Sequence, residues 1–415
     1  MRTADFVVVG AGVMGVNIAI ELKRRHGGAR VRLIEKEPAP GLHASGRNSG
    51  VLHAGFYYTA DSLKAKFTRV GNQLMQEYCL SRGLRVNRCG KLVVTRDESE
   101  LGALDELHRR GQRNGVELHE VSEREARGIE PRARTTLRAL YSPTTATVDP
   151  KAVMHAFVED ARGLGVELEF DCAYRGRSDH GVRTSRGDFD CGYLVNAAGL
   201  QADNIARDFG FSEHLRILPF KGLYLYSDEP PGAFRTNIYP VPNLANPFLG
   251  VHFTVNVDGH AKIGPTAIPC LWREQYGGAS GFKLGELAPT LWACLGLAFH
   301  AGFDFRALAL EELRKRGRKH MVALAAKLAD GVSVEQYSRW GAPGIRAQLM
   351  DVRKRTLVQD FCLEGDERSL HVLNAVSPGW TCSIPFSRFV CDQVEVSQQR
   401  SPSTPIDPPS LASAG

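Results

Sequence analysis

A mixed fold, in which a parallel α/β domain is interleaved with an antiparallel-sheet domain, is what this 415-residue sequence predicts. Three observations predict it. The apolar run Phe6-Val7-Val8-Val9 leads into Gly10-Ala11-Gly12-Val13-Met14-Gly15 at the start of the chain. A second apolar run, Tyr193-Leu194-Val195-Asn196, ends in the small residues Ala197-Ala198-Gly199 far downstream. Between and beyond these, stretches of short strands punctuated by Pro and Gly run from about Val86 to Tyr141 and from Leu215 to Ile268.

The first element is a Rossmann-like nucleotide clamp. Phe6–Val9 reads as a buried parallel strand, Asn17–Arg25 as the helix after the turn, and Val31–Ile34 as the second strand. Gly10 permits the tight turn, Gly12 lets the backbone approach a pyrophosphate, and Gly15 lets helix and strand pack closely. The pyrophosphate would sit on the free N–H groups and positive dipole end of the helix. Glu35, at the end of the second strand, would accept the ribose hydroxyls of an adenosine and repel a 2′-phosphate. Strand, glycines, helix, strand and acid in register make a far stronger signal than the glycines alone.

The nucleotide domain returns twice. The helix Lys151–Gly163, the strand Val166–Phe170 and the run ending at Gly199 form its second segment; Leu370–Val394 forms its third. Ala198 and Gly199 close a strand whose C-terminal end can be approached by a ligand, the usual place for one in an open parallel sheet. No second strand–glycine–helix unit occurs, because Gly277–Gly281 has no strand before it. The pair of signals points to FAD and to hydride transfer without a nicotinamide site.

The expected boundaries are 1–85, 142–214 and 340–398 for the nucleotide domain, with 86–141 and 215–339 for a substrate domain. A helical insertion is expected at about 277–332, and a disordered Ser/Pro-rich tail at 399–415. The apolar run Leu291–Phe299, too short to cross a bilayer, reads as a core helix. The basic run Arg314–Lys319 reads as a solvated helix face, which leaves peripheral membrane contact open.

Composition excludes several classes. The chain is 43% hydrophobic and 24% charged, as a globular enzyme is. A net charge of +6 is too small to argue for nucleic acid. Nine cysteines without a CxxC pair suggest reduced thiols in a cytoplasmic setting, and no metal is expected. No secretory signal is expected ahead of the first strand.

Residues Ala44-Ser45-Gly46-Arg47-Asn48-Ser49-Gly50-Val51-Leu52-His53-Ala54-Gly55-Phe56-Tyr57-Tyr58 resemble the signature of the L-2-hydroxyglutarate dehydrogenases and oxidases, in the D-amino-acid-oxidase-like flavoprotein superfamily. Further blocks match in order: Val195–Asp203, Pro219-Phe220-Lys221-Gly222, Ile238–Pro242, Pro247–Thr254, Gly264-Pro265, Gly344–Gln348 and Leu373-Asn374-Ala375. The resemblance spans residues 1 to about 395 and implies an FAD domain interleaved with a sheet-based substrate domain. Two departures bear on the substrate. Leu223 stands where a Glu is usual, and Val376–Cys382 differs from the family's C-terminal block, placing Trp380 there.

The resemblance implies oxidation of an L-2-hydroxy acid, foremost L-2-hydroxyglutarate to 2-oxoglutarate. That chemistry needs a hydride acceptor, a base for the hydroxyl proton and cations for the carboxylate. His53 is the expected base, since an imidazole titrates near neutrality. Arg346 is the expected carboxylate clamp, its planar fork matching two oxygens. Lys221 and His252 are candidates for a distal carboxylate, and Tyr57, Tyr58 and Tyr239 for hydroxyl contacts or pocket wall. Ser45, Arg47, Asn48, Ser49 and Gly50 would thread past the cofactor, while Ser377, Pro378, Gly379 and Thr381 would offer backbone groups to the flavin's pyrimidine end. Cys382 raises covalent flavin attachment, though a buried free thiol and non-covalent FAD are expected. Oxygen or a quinone as electron acceptor, and the oligomeric state, stay open. So do two rival readings: oxidation of a 2-amino acid or specialised metabolite, and a non-catalytic FAD-binding assembly protein.

Overall fold

The structure, a computed structural model, describes residues 2–243, 249–300 and 305–399. The expected tail at 399–415, apart from Gln399, and the Pro247-Phe248 pair of the matched blocks lie outside the described residues. The chain divides into two compact units: Met1–Gly46, Pro150–Leu218 and Ala347–Gly415 make the first, Arg47–Asp149 and Pro219–Arg346 the second.

In the first unit the strand Arg2–Val9 lies parallel to Gly187–Asn196 on one side and to Val31–Ile34 on the other. Glu167–Glu169 extends the sheet beyond Val31–Ile34, and Ser369–Val372 pairs with Gly187–Asn196. Val7, Val8, Leu33, Leu194 and Val195 are almost wholly buried, because a parallel strand covered on both faces must be apolar on both. Each such side chain contributes roughly 1.5–3 kcal/mol by leaving water. Helix Val13–Arg25 packs against Pro150–Gly163 and against the long C-terminal helix Gly379–Gln398.

The second unit is built on an eight-stranded sheet. Its central order is Leu225–Tyr226, Ala261–Gly264, His252–Val255, Asn237–Pro240, Lys91–Val94 and Arg138–Ser142. All neighbours are antiparallel except Asn237–Pro240 beside Lys91–Val94, which run parallel. The period of two sorts side chains onto opposite faces. Leu92, Val94, Leu225, Ile238, Phe253 and Ile263 form an apolar core with Met321, Val322 and Ala325 of helix Arg318–Ala325. The alternate positions are another matter. They carry Lys91, Tyr239, His252, Thr254 and Lys262, all buried.

The boundaries differ from expectation in two places that matter: the last nucleotide segment opens at Ala347 rather than 340, which leaves Gly344–Arg346 in the second unit, and the first segment ends early. The first segment of the nucleotide unit closes at Gly46 rather than running to 85. Val51-Leu52 pairs with Ala146-Thr147, and helix Leu63–Ser81 follows, so this stretch is built into the second unit. Residues 142–149 go with it for the same reason.

The expected insertion is present as helices Leu284–His300, Phe305–Arg314 and Arg318–Ala325. Its first helix is not a core helix, however. Leu284, Ala288, Leu291, Trp292 and Leu295 fall on one stripe and face out, Trp292 being 75% exposed. Apolar content and length alone could not reveal this, since a helix with an apolar outer stripe has the same composition as a buried one. In the basic run, Arg314, Arg316, Arg318 and Lys319 are exposed as expected, whereas Lys315 is buried against Glu312.

Candidate active site

The nucleotide cradle of the first unit is built from backbone. Gly10 sits at φ +102°, and a Cβ there would lie 2.8 Å from the Ala197 carbonyl oxygen. A Cβ on Gly15 would meet the Gly10 oxygen at 1.9 Å, so strand and helix approach as closely as the sequence requires. Gly12 precedes helix Val13–Arg25 with no side-chain cap of its own. Instead the Ser45 hydroxyl accepts the Val13 N–H at 2.9 Å, reaching the helix start where an anion binds. Glu35 accepts the Ala11 N–H at 2.7 Å through one oxygen and the Glu37 N–H at 3.0 Å through the other. Its carboxylate therefore stands at the mouth of the glycine turn, with further lone pairs for hydroxyl donors.

The third nucleotide segment supplies a helix start. Ser377 and Pro378 lead into helix Gly379–Gln398, whose Gly379 packs so closely on Met14 that a Cβ would lie 3.3 Å from its terminal methyl. Thr381 and Cys382 are fully buried in its first turn. The Trp380 indole N–H and the Ser383 hydroxyl are buried without a hydrogen-bond partner among the described residues. Ala198 N–H bonds the Asn196 side chain, and Gly199 takes φ +54°, so the end of the Gly187–Asn196 strand stays free of bulky side chains.

In the second unit, the signature segment forms a pinned loop. The Asn72 amide donates to the carbonyls of Leu52 and His53, at 2.9 and 3.3 Å. Asn114 donates to Gly55 and Tyr58, and Arg110 to Tyr57. These three side chains fix the path of residues 52–58, a role that single-sequence reading had no signal to assign. Upstream, Arg47 donates to the Pro343 carbonyl and lies over the Tyr276 ring, while Asn48 caps the turn by accepting the Gly50 N–H. The Ser49 carbonyl accepts from Lys262.

His53, half-buried, is held well below the usual imidazole range, first by burial, then by Lys91 and His252. His252 is pushed down to about 3 by burial, with Lys91, Lys262 and Lys315 adding to the effect. Its Nδ1 lies 2.8 Å from the Gly250 carbonyl, which can only accept, so Nδ1 carries the proton and Nε2 presents a lone pair. That tautomer suits an acceptor of a substrate hydrogen better than the carboxylate holder the sequence suggested. Tyr239 stacks on His252 and, like Tyr57, has its hydroxyl pushed up by burial.

Sequence reading missed two lysines. Lys91 projects its ammonium toward the rings of Phe56, Tyr57 and Tyr239, at 5.1, 4.9 and 4.6 Å from their centroids. Lys262 lies over Tyr224 and is pushed down to about 8 by burial. The available signal was parity: in Lys91-Leu92-Val93-Val94 and Ala261-Lys262-Ile263-Gly264 each lysine falls on the face opposite the apolar core.

Arg346 lies in this unit beside Tyr58; burial lowers it to about 10, still above neutrality. Lys221 is elsewhere. It lies on the Leu215–Gly222 strand opposite Ile268, with the Cys270 thiol and the Arg316 guanidinium as its ionisable neighbours rather than His53 or His252.

Comparison with known proteins agrees with this layout. A family model described as FAD dependent oxidoreductase matches residues 5–393. This chain belongs to that family. The L-2-hydroxyglutarate dehydrogenases of Nematostella vectensis and Homo sapiens are 36% and 34% identical to it; each match covers 94% of this chain, and 90% and 88% of those proteins. The Escherichia coli K12 enzyme of that name is 31% identical, over 94% of this chain and 93% of its own. Among solved structures, L-α-glycerophosphate oxidase from Mycoplasma pneumoniae superposes with a TM-score of 0.75 at 20% identity, covering 95% of each chain. Glycine oxidase from Geobacillus kaustophilus gives 0.70 at 21%, covering 96% of each.

As an FAD-dependent oxidoreductase the chain must hold the dinucleotide, and its residues fit one. The glycine cradle leaves room only for backbone, Glu35 offers lone pairs at its mouth, and Trp380 holds an unsatisfied buried donor. Cys382, inside the C-terminal helix, is fully buried.

Proposed function

We propose that this enzyme oxidises L-2-hydroxyglutarate to 2-oxoglutarate. One observation carries the reading: the relatives bearing that name match nearly end to end, and the polar sheet face of the second unit matches the charge of their substrate. Burial holds down all four of His53, Lys91, His252 and Lys262, and neighbouring cations depress the two imidazoles further. The two buried lysines of that face, Lys91 and Lys262, suit an anionic substrate, and the neutral imidazoles beside them suit a proton acceptor.

FAD, held by the glycine cradle and Glu35, would supply the acceptor for the hydride of carbon 2. The chain's residues do the rest. His53 takes the hydroxyl proton, and its depressed basicity keeps it unprotonated at neutral pH. Arg346 pairs its guanidinium with the carboxylate next to the reacting carbon. Tyr239 and His252 fix the substrate's orientation from the sheet, and Lys221 remains a candidate for the distal carboxylate only if the substrate reaches the Leu215–Gly222 strand. The test is anaerobic mixing of the purified yellow protein with L-2-hydroxyglutarate. Bleaching of the flavin band supports the reading. No bleaching, with bleaching by 2-amino acids, replaces it by amino-acid oxidation. No bleaching by either class of acid favours a non-catalytic flavoprotein.

The outward stripe Leu284, Ala288, Leu291, Trp292 and Leu295 favours peripheral contact with an anionic membrane surface. Among the described residues no helix is long and apolar enough to cross a membrane. Lys283, Arg306, Arg314, Arg316, Arg318 and Lys319 are exposed in the same insertion, against Glu286, Glu311 and Asp330 as partly exposed acids. Apolar side chains with surrounding cations match a negatively charged leaflet. The nine free thiols fit a reducing, cytoplasmic setting. Co-flotation with phosphatidylglycerol vesicles, absent for Trp292→Ser with Leu291→Ser, is expected. Failure to float, with a dimer in sedimentation, would assign the stripe to a second copy of the chain. A quinone would then compete with oxygen as acceptor only in the floating case.

A further inference from the structure

Lys91 takes no step in the proton and hydride transfers above, yet it is the least explicable residue of the second unit on grounds of stability alone. It is wholly buried, and its Nζ has no hydrogen-bond partner among the described residues. Three ring faces surround the ammonium, from Phe56, Tyr57 and Tyr239. Ring faces attract a cation but do not replace the lost hydration of a buried one. A methionine would fill the same space without that cost. A residue so placed needs a reason that its charge supplies.

We propose that Lys91 is a positioning residue for the base: its caged ammonium fixes a buried positive charge against the loop that carries His53. The proposal rests on the reading of His53 as proton acceptor. Phe56 and Tyr57 form two walls of the cage, and they follow His53 by three and four residues in the loop pinned by Asn72, Asn114 and Arg110. Two walls of the cage and the imidazole therefore belong to one pinned loop, and the third wall, Tyr239 of strand Asn237–Pro240, stacks on His252, so the charge has a defined place relative to the base.

The neighbouring ionisable groups support this. His53 is influenced by Lys91 and His252; His252 by Lys91, Lys262 and Lys315; Lys91 by Cys89; Tyr57 by Tyr239 and Tyr58. None is a carboxylate that would cancel the field at His53. Burial pushes Lys91 itself down to about 7. It is thus charged in the acid range, where an ordinary imidazole near 6.5 would take up a proton and cease to be a base. The protection is strongest where it is needed.

The experiment compares the wild-type holoenzyme with Lys91→Met and Lys91→Arg between about pH 5 and 9. One readout is the rate of anaerobic flavin reduction by L-2-hydroxyglutarate. The other is independent of turnover: carbethoxylation of His53 by diethyl pyrocarbonate, which attacks only unprotonated imidazole, followed by mass spectrometry of its peptide. In wild type, His53 modification should stay nearly flat down to about pH 5. In Lys91→Met its midpoint should rise by roughly one pH unit, with the acid limb of flavin reduction moving equally. Lys91→Arg should restore the wild-type profile. Unchanged His53 profiles in Lys91→Met would overturn the proposal even if activity fell. If Lys91→Met does not fold, Lys91→Gln is read in the same way. Failure of the wild type to be reduced would sink the substrate reading, while the modification profile would still decide the role of Lys91.

Discussion

The imidazole of His252 lies flat on the ring of Tyr239, their centroids 3.7 Å apart and their planes 17° from parallel. With Nδ1 bonded to the Gly250 carbonyl, the ring has one orientation and one tautomer. The neutral form persists because burial and three lysines push its basicity down to about 3. His252→Asn can still donate to Gly250 but loses the stack and the Nε2 lone pair. We expect kcat/KM to fall by about 10- to 100-fold, or roughly 1.4–2.7 kcal/mol. The ratio of wild type to variant should be the same from about pH 5 to 9, since neither side chain titrates there. A ratio that changes with a midpoint near 6 would show a charged His252 and refute the assignment.

The glycine cradle makes a graded prediction. A Cβ on Gly15 would sit 1.9 Å from backbone oxygen, which cannot rotate away, whereas a Cβ on Gly12 would meet the Ser45 hydroxyl at 3.1 Å, which can. Gly15→Ala should cost several kcal/mol of stability, more than about 3, and yield colourless or insoluble protein. Gly12→Ala should fold and lose FAD affinity instead. Thermal unfolding and the flavin-to-protein absorbance ratio separate the two. Equal flavin content in both variants would contradict this account of the cradle.

The nucleotide unit was legible because its chemistry is local. Strand, turn, helix and acid occupy residues 6–35, and the close approach of Gly15 to Gly10 falls within that window, although Gly10 and Gly12 also meet Ala197 and Ser45 from outside it. The substrate side was less legible because its groups converge from strands more than a hundred residues apart, as with Lys91 and Tyr239. A lysine in a four-residue strand reads as an edge or solvent position until pairing shows both faces covered. Lys221 was singled out by a matched block and Lys91 was not, yet it is Lys91 that meets Tyr239. The outward Trp292 was hidden for the opposite reason: composition reports how apolar a helix is, and only packing reports which way the stripe faces.

Arg346 should behave as a buried clamp. Burial lowers it to about 10, so it keeps its charge at neutral pH, and Tyr58 lies close by. Arg346→Gln removes the charge and the fork; Arg346→Lys keeps the charge alone. We expect kcat/KM to fall by about 100- to 1,000-fold for Gln, or roughly 3–4 kcal/mol, and by about tenfold less for Lys. Flavin content should be unchanged in both. Steady-state kinetics with L-2-hydroxyglutarate and with a one-carboxylate 2-hydroxy acid check the assignment. If both substrates lose equally, the clamp acts on the shared carboxylate; a loss confined to L-2-hydroxyglutarate would move Arg346 to the distal end.

Lys91 should cost the protein stability, with a definite pH dependence. Folding lowers its pKa from 10.5 to about 7, so between these values the unfolded chain binds more protons than the folded one. Stability therefore rises with pH across that window, and the full penalty applies below about pH 7. The fall corresponds to roughly 5 kcal/mol at about 1.4 kcal/mol per tenfold. Three ring contacts return part of it, at about 0.5–2 kcal/mol each. Lys91→Met should thus be more stable than wild type by on the order of 1–3 kcal/mol at pH 6, and the difference should shrink towards pH 10. Urea denaturation of the two proteins at several pH values measures it. A variant less stable than wild type at pH 6 would mean that the cage more than compensates the buried charge, and that Lys91 supports the fold.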